Sequence, residues 1–158
     1  MNIALVGIGQ PLRGDDGIGP EAVRQWSRQH AQSASDPSVQ IVIAETPGLE
    51  LLELMRDADA VILVDAAQSG DPAGTVRVRT SLPEAGSTPA EKTAHGFGVA
   101  EAIALARKIG ARLPAHIVFI GVEGSRWELG EDLSDPVRRA IPEAAREIQN
   151  QISRWASE

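Results

Sequence analysis

Short, continuous apolar runs alternate with helical patterns along this chain, and that alternation most constrains its fold. Residues 2–7 (NIALVG), 39–44 (VQIVIA), 60–65 (AVILVD) and 116–122 (HIVFIGV) read as strands. Such runs are what strands covered on both faces require, as in a parallel sheet. Residues 74–79 (GTVRVR) instead alternate apolar and polar, the pattern of an edge strand. Between the runs lie helical segments. One starts at Pro20, a residue suited to a first helical turn, and continues to about His30. Residues 48–56 (GLELLELMR) and 97–109 (FGVAEAIALARKI) carry leucine, isoleucine and alanine at helical spacing. Residues 32–38 read as a turn and 80–93 as a loop. Residues 134–155 are helical, and Pro142 predicts a break there between a short helix and a longer one.

The implied order is β-α-β-α-β-β-α-β-α. It describes one α/β domain over residues 1–158, with a mostly parallel, twisted five-stranded sheet and helices on both faces. Ligands of such folds bind beyond the carboxyl ends of the strands. A functional residue is therefore expected just after a strand.

Composition removes several classes of function. With no cysteine, thiolate metal sites, disulfides and cysteine nucleophiles are excluded. Fifteen basic against twenty-two acidic residues leave a net charge of −7 without a basic cluster, which argues against nucleic acid as a partner. Neither a membrane-spanning run nor a signal peptide is read, so a cytoplasmic protein is expected.

The first strand runs into Gly7-Ile8-Gly9-Gln10-Pro11-Leu12-Arg13-Gly14-Asp15-Asp16-Gly17-Ile18-Gly19. A dinucleotide fingerprint needs glycine where Leu12 stands, and a P-loop needs Gly-Lys-Ser/Thr where Gly14-Asp15-Asp16 stands. Two carboxylates there repel phosphate and suit a cation. They equally suit a turn, with one Asp capping the following helix. Asp65 ends the third apolar run, at the same sheet edge. His95, in Ala94-His95-Gly96-Phe97-Gly98, stands at a helix entrance between small residues. His30 and His116 read as structural. Two carboxylates and an imidazole from three separate segments can hold a divalent first-row metal with positions left open. H-E-x-x-H and G-x-S-x-G are both missing, so neither an ordinary zincin nor a serine-hydrolase elbow is indicated.

These segments, in order, resemble the hydrogenase maturation proteases. The likeness rests on Gly7-x-Gly9, Gly14-Asp15-Asp16-Gly17-x-Gly19, Thr46-Pro47-Gly48-Leu49-Glu50-Leu51, Asp65-Ala66, His95, Gly121-Val122-Glu123-Gly124 and Leu133-Ser134-Asp135-Pro136-Val137. Two positions depart from it: Gln10 stands where the family often has Asn, and Ala44-Glu45 where many members have a glycine pair. Glu45 reads as a contact to a basic substrate residue or as a solvated side chain.

The resemblance implies an endopeptidase that removes the C-terminal extension of a [NiFe] hydrogenase large-subunit precursor after nickel insertion. It places both the metal contacts and the catalytic residues on Asp16, Asp65 and His95. The nickel belongs to the substrate, another divalent ion such as cadmium or zinc can occupy the same place, and no organic cofactor is implied. The expected partner is the precursor, with no membrane and no nucleic acid, and the protease is expected to be a monomer. Asp15 is open between a general base and a helix cap. The alternatives are a metal-dependent hydrolase of another substrate and a non-catalytic hydrogenase assembly factor.

Overall fold

A computed structural model of the chain describes residues 1–45, 48–80 and 96–158, with the side chains of residues 49 and 96–98 outside that description. Five strands form one sheet: β1 (Ile3–Ile8), β2 (Val39–Ala44), β3 (Ala60–Ala67), β4 (Val76–Arg79) and β5 (His116–Glu123). Their spatial order is β2-β1-β3-β5-β4. β2, β1, β3 and β5 run parallel, and β4 joins β5 antiparallel at one edge. The mostly parallel five-stranded sheet expected from the apolar runs is present.

The central strands are apolar throughout because helices cover both faces. On one face, Leu5, Ile62, Val64 and Ile120 pack with α1 (Ile18–Gln29) and α5 (Asp135–Ala156) through Val23, Trp26, Ala144 and Ile148. On the other, Val6, Val61, Leu63 and Phe119 pack with α3 (Leu49–Asp57) and α4 (Gly96–Lys108) through Leu51, Met55, Val99 and Ile103. Successive residues of a strand point to opposite faces, so each run supplies both cores at once. Trp26 fixes α1 to α5 further, by donating from Nε1 to Gln149 Oε1 at 2.9 Å.

Three expectations are corrected. Residues 31–34 are a short helix, α2 (Ala31–Ala34), which overlaps the start of the stretch expected to be a turn. Asp65 does not end its strand, because pairing with β5 continues through Ala66↔Val122 and Ala67↔Glu123. Pro142 does not break the C-terminal helix: α5 is continuous over 22 residues with Pro142 inside it. Pro142 is exposed, while Val137, Ala140, Ala144, Ala145 and Ile148 bury one unbroken face on either side of it. Packing of that face outweighs the one backbone hydrogen bond that proline removes.

The two other histidines are structural, as read. His30 follows α1 and stacks on Trp26 with centroids 6.3 Å apart. His116 opens β5 and packs on Trp155 at 5.8 Å.

Candidate active site

The Gly-Asp-Asp loop closes as a single turn of 3-10 helix, Gly14–Gly17, directly before α1. That turn packs against β3. The approach is close because α1 meets the sheet at Gly19, with no side chain between the two backbones. A Cβ on Gly19 would lie 2.3 Å from the Ile8 carbonyl oxygen and 2.4 Å from that of Val64, both prohibitive. Gly9 serves the same end with φ +141°, a conformation open to glycine, and its hydrogen side faces the Asp16 carbonyl. Small residues therefore bring the turn bearing Asp16 onto the strand bearing Asp65.

Asp16 is 3% exposed, and its Oδ2 accepts from the Gln10 amide at 2.8 Å. Asp65 is fully buried, and its Oδ1 accepts from the Ala66 amide at 2.8 Å. It sits one residue past the last β1–β3 pair, Gly7↔Val64, level with Ile8, the last residue of β1. Both carboxylates thus lie at the carboxyl rim of the sheet, where sequence placed them. His95 lies outside the described residues, immediately before the first residue of α4, Gly96. Among the described residues, no three His, Asp or Glu side chains form a metal-holding group.

Asp15 does not cap α1. The N-cap of α1 is Gly17, without a side-chain bond. The Asp15 carboxylate is fully buried and accepts from the amides of Ser125 (2.8 Å), Arg126 (3.0 Å) and Ser134 (2.7 Å), and from Ser134 Oγ (2.8 Å). With its lone pairs so engaged, it is poorly placed to take a proton from water. The Gln10 side chain accepts through Oε1 from Arg13 Nε at 3.3 Å. Glu45 is exposed.

Glu123 is a fourth buried carboxylate among the described residues, and residue patterns did not single it out for a role. It accepts from the Ser69 amide (2.9 Å) and hydroxyl (2.7 Å) and from the Gly70 amide (3.0 Å), fixing the loop after β3. Its position at the end of β5 was the available signal, since strand ends carry the loops of such a fold.

The family model described as hydrogenase maturation protease matches residues 21–151. The chain belongs to the hydrogenase maturation protease family. Asp65 and His95 fall inside the matched span, and Asp16 just ahead of it. The hydrogenase expression/formation protein HupD of Bradyrhizobium diazoefficiens is 33% identical over 88% of this chain and 71% of its own. HupD of Rhizobium leguminosarum is 31% identical over 97% and 75%. HupD of Thiocapsa roseopersicina is 33% identical over 77% and 53%, so the chain spans about half to three quarters of these relatives. The fold is that of the hydrogenase maturating endopeptidase HybD from E. coli, with a TM-score of 0.80 at 22% identity, over 98% of this chain and 93% of that one. As a member of this family the chain is a peptidase.

Proposed function

We propose that this protein is a cytoplasmic endopeptidase that removes the C-terminal extension of a [NiFe] hydrogenase large-subunit precursor once nickel is in place. Asp16, Asp65 and His95 read the nickel of the substrate. The observation that carries this reading is the packing of the turn that bears Asp16 onto β3, the strand that bears Asp65. Membership in the family supplies the reaction class.

Two carboxylates and an imidazole suit a divalent first-row ion and leave coordination positions for the substrate's own ligands. Bridging that ion would fix the folded precursor with its scissile peptide beside the rim, which converts recognition into orientation. Hydrolysis then needs an activated water. A rim carboxylate acting as base, or nickel polarising the peptide carbonyl, would each supply it. Asp15 is left out of both routes because its oxygens are held by Ser125, Arg126 and Ser134.

The test is incubation of nickel-loaded precursor with the wild type and with Asp16→Ala, Asp65→Ala and His95→Ala, read by mass. Processing by the wild type and its loss in each variant supports the assignment. Retained processing by all three variants overturns it. Tight binding of the precursor by the wild type without any cleavage would make the protein an assembly factor instead.

A further inference from the structure

We propose that Asp15 is a positioning residue for this site: its buried carboxylate clamps the loop that carries Asp16 to the loop that follows β5. The activity arm of the test rests on the reading of the site given above. The structural arm does not.

The clamp is specific in its parts. Oδ1 of Asp15 takes the Ser134 amide, and Oδ2 takes the Ser125 and Arg126 amides and the Ser134 hydroxyl. Ser134 precedes α5 and makes no side-chain cap to that helix, so its hydroxyl is given to Asp15 instead. Main-chain bonds reinforce the joint on both sides. The Asp15 amide donates to Arg126 O (2.7 Å), the Gly14 amide to Glu131 O (2.9 Å) and the Gly130 amide to Leu12 O (2.7 Å).

The partners of this carboxylate are amides and hydroxyls. The nearby Arg126 guanidinium lies toward Glu131 instead, at 3.8 Å. A buried carboxylate is costly unless its hydrogen bonds are complete, and bonds to a charged acceptor are stronger and shorter than neutral ones. Here the charge gathers donors from residues 125, 126 and 134 onto one point of the 3-10 turn. Asp16 is the next residue, and its carboxylate takes the Gln10 amide from the same loop. With Leu12, Gly14 and Asp15 all pinned to residues 126–134, the position of Asp16 over β3 is set from the β5 side. Glu123 offers a matched contrast, a carboxylate only 5% exposed but tied to Ser69 and Gly70 after β3.

The deciding variant is Asp15→Asn, which keeps the shape but turns one oxygen into a donor facing donors. Hydrogen exchange of the Gln10 amide reports directly on the Asp16 carboxylate it bonds. The expected result is Gln10 exchange at least about tenfold faster than any loss of global protection explains, since local openings are separable from global ones. On nickel-loaded precursor, kcat falls about 10- to 100-fold and KM rises with it, because a misplaced Asp16 both orients the peptide less well and holds the nickel less tightly. Ser134→Ala, which removes one bond of the clamp and leaves the others, shows both effects in smaller measure and serves if Asp15→Asn does not fold. Glu123→Gln lowers global protection without the added change at Gln10. The proposal is overturned if folded Asp15→Asn, or Ser134→Ala in its place, leaves Gln10 exchange at the global rate or leaves kcat unchanged. If the wild type does not process the precursor, the reading of the site fails, and Gln10 exchange decides the clamp by itself.

Discussion

Ser134 gives both its amide and its hydroxyl to Asp15, a residue 119 positions away, at 2.7 and 2.8 Å. The joint links the first loop of the sheet to the last and closes the rim at which Asp16 and Asp65 lie. The Gly14-Asp15-Asp16 segment thus divides its labour: one carboxylate is buried as a tie, and its neighbour is held at the rim.

The close seat of α1 on the sheet makes Gly19 intolerant of any side chain. Gly19→Ala would put a Cβ 2.3 Å from Ile8 O and 2.4 Å from Val64 O, where neither backbone can yield cheaply. Overpacking of this kind costs about 1–3 kcal/mol or more. Urea unfolding is expected to show at least that loss, with processing activity reduced because the Asp16 turn is displaced from β3. Wild-type stability in this variant would contradict the tight seat.

Pro142 stands in the interior of a continuous helix, on its exposed face. Pro142→Ala restores a backbone donor and is expected to raise stability by about 1–3 kcal/mol. A thermal scan checks it. An unchanged or lower midpoint would mean that the helix gains something from the ring.

Asp59 joins the amino terminus to the start of β3. Its Oδ2 accepts from the Asn2 amide at 2.8 Å and its Oδ1 from Arg112 at 2.9 Å. The Asn2 bond, aided by Arg112, holds its pKa below the ordinary value of 3.8. A lowered carboxylate pKa adds stability that is present above the unfolded value and is lost as pH falls through the folded one. Wild type is therefore expected to exceed Asp59→Asn in urea midpoint near neutrality, with the difference shrinking below pH 3.8. A difference that stays constant down to about pH 2.5 would show that this ionisation is not linked to folding.

The rim residues should separate binding from chemistry. Asp16→Asn and Asp65→Asn keep the side-chain shape but weaken the pull on a cation. Each is expected to bind nickel-loaded precursor more weakly than the wild type does, with nickel-free precursor bound equally by all three. Titration of the two precursor forms measures this. Equal affinity for both forms in the wild type would remove nickel reading from these carboxylates.

Most of the scaffold was legible because a parallel sheet writes itself as uninterrupted apolar runs: residues 60–64 are apolar at every position and are buried on both faces. Asp16 and Asp65 were legible for the same reason, as charges placed where such runs give out. Pro142 misled because local propensity says nothing of the packed face that carries α5 past it. The continuation of β3 through Ala67 is set by β5, which lies far along the chain. Asp15 was open between base and cap because its partners are backbone amides, which any sequence supplies, at positions 125, 126 and 134. The hydroxyls of Ser134 and, at longer range, Ser125 were the side-chain traces of that joint.

The central claim is that the site answers to nickel carried by the substrate. The most direct measurement compares large-subunit precursor with and without nickel, each incubated with the wild-type protein, by mass. The account predicts loss of the C-terminal extension from the nickel-loaded form alone. Equal cleavage of the nickel-free form, or none of the loaded one, would contradict it.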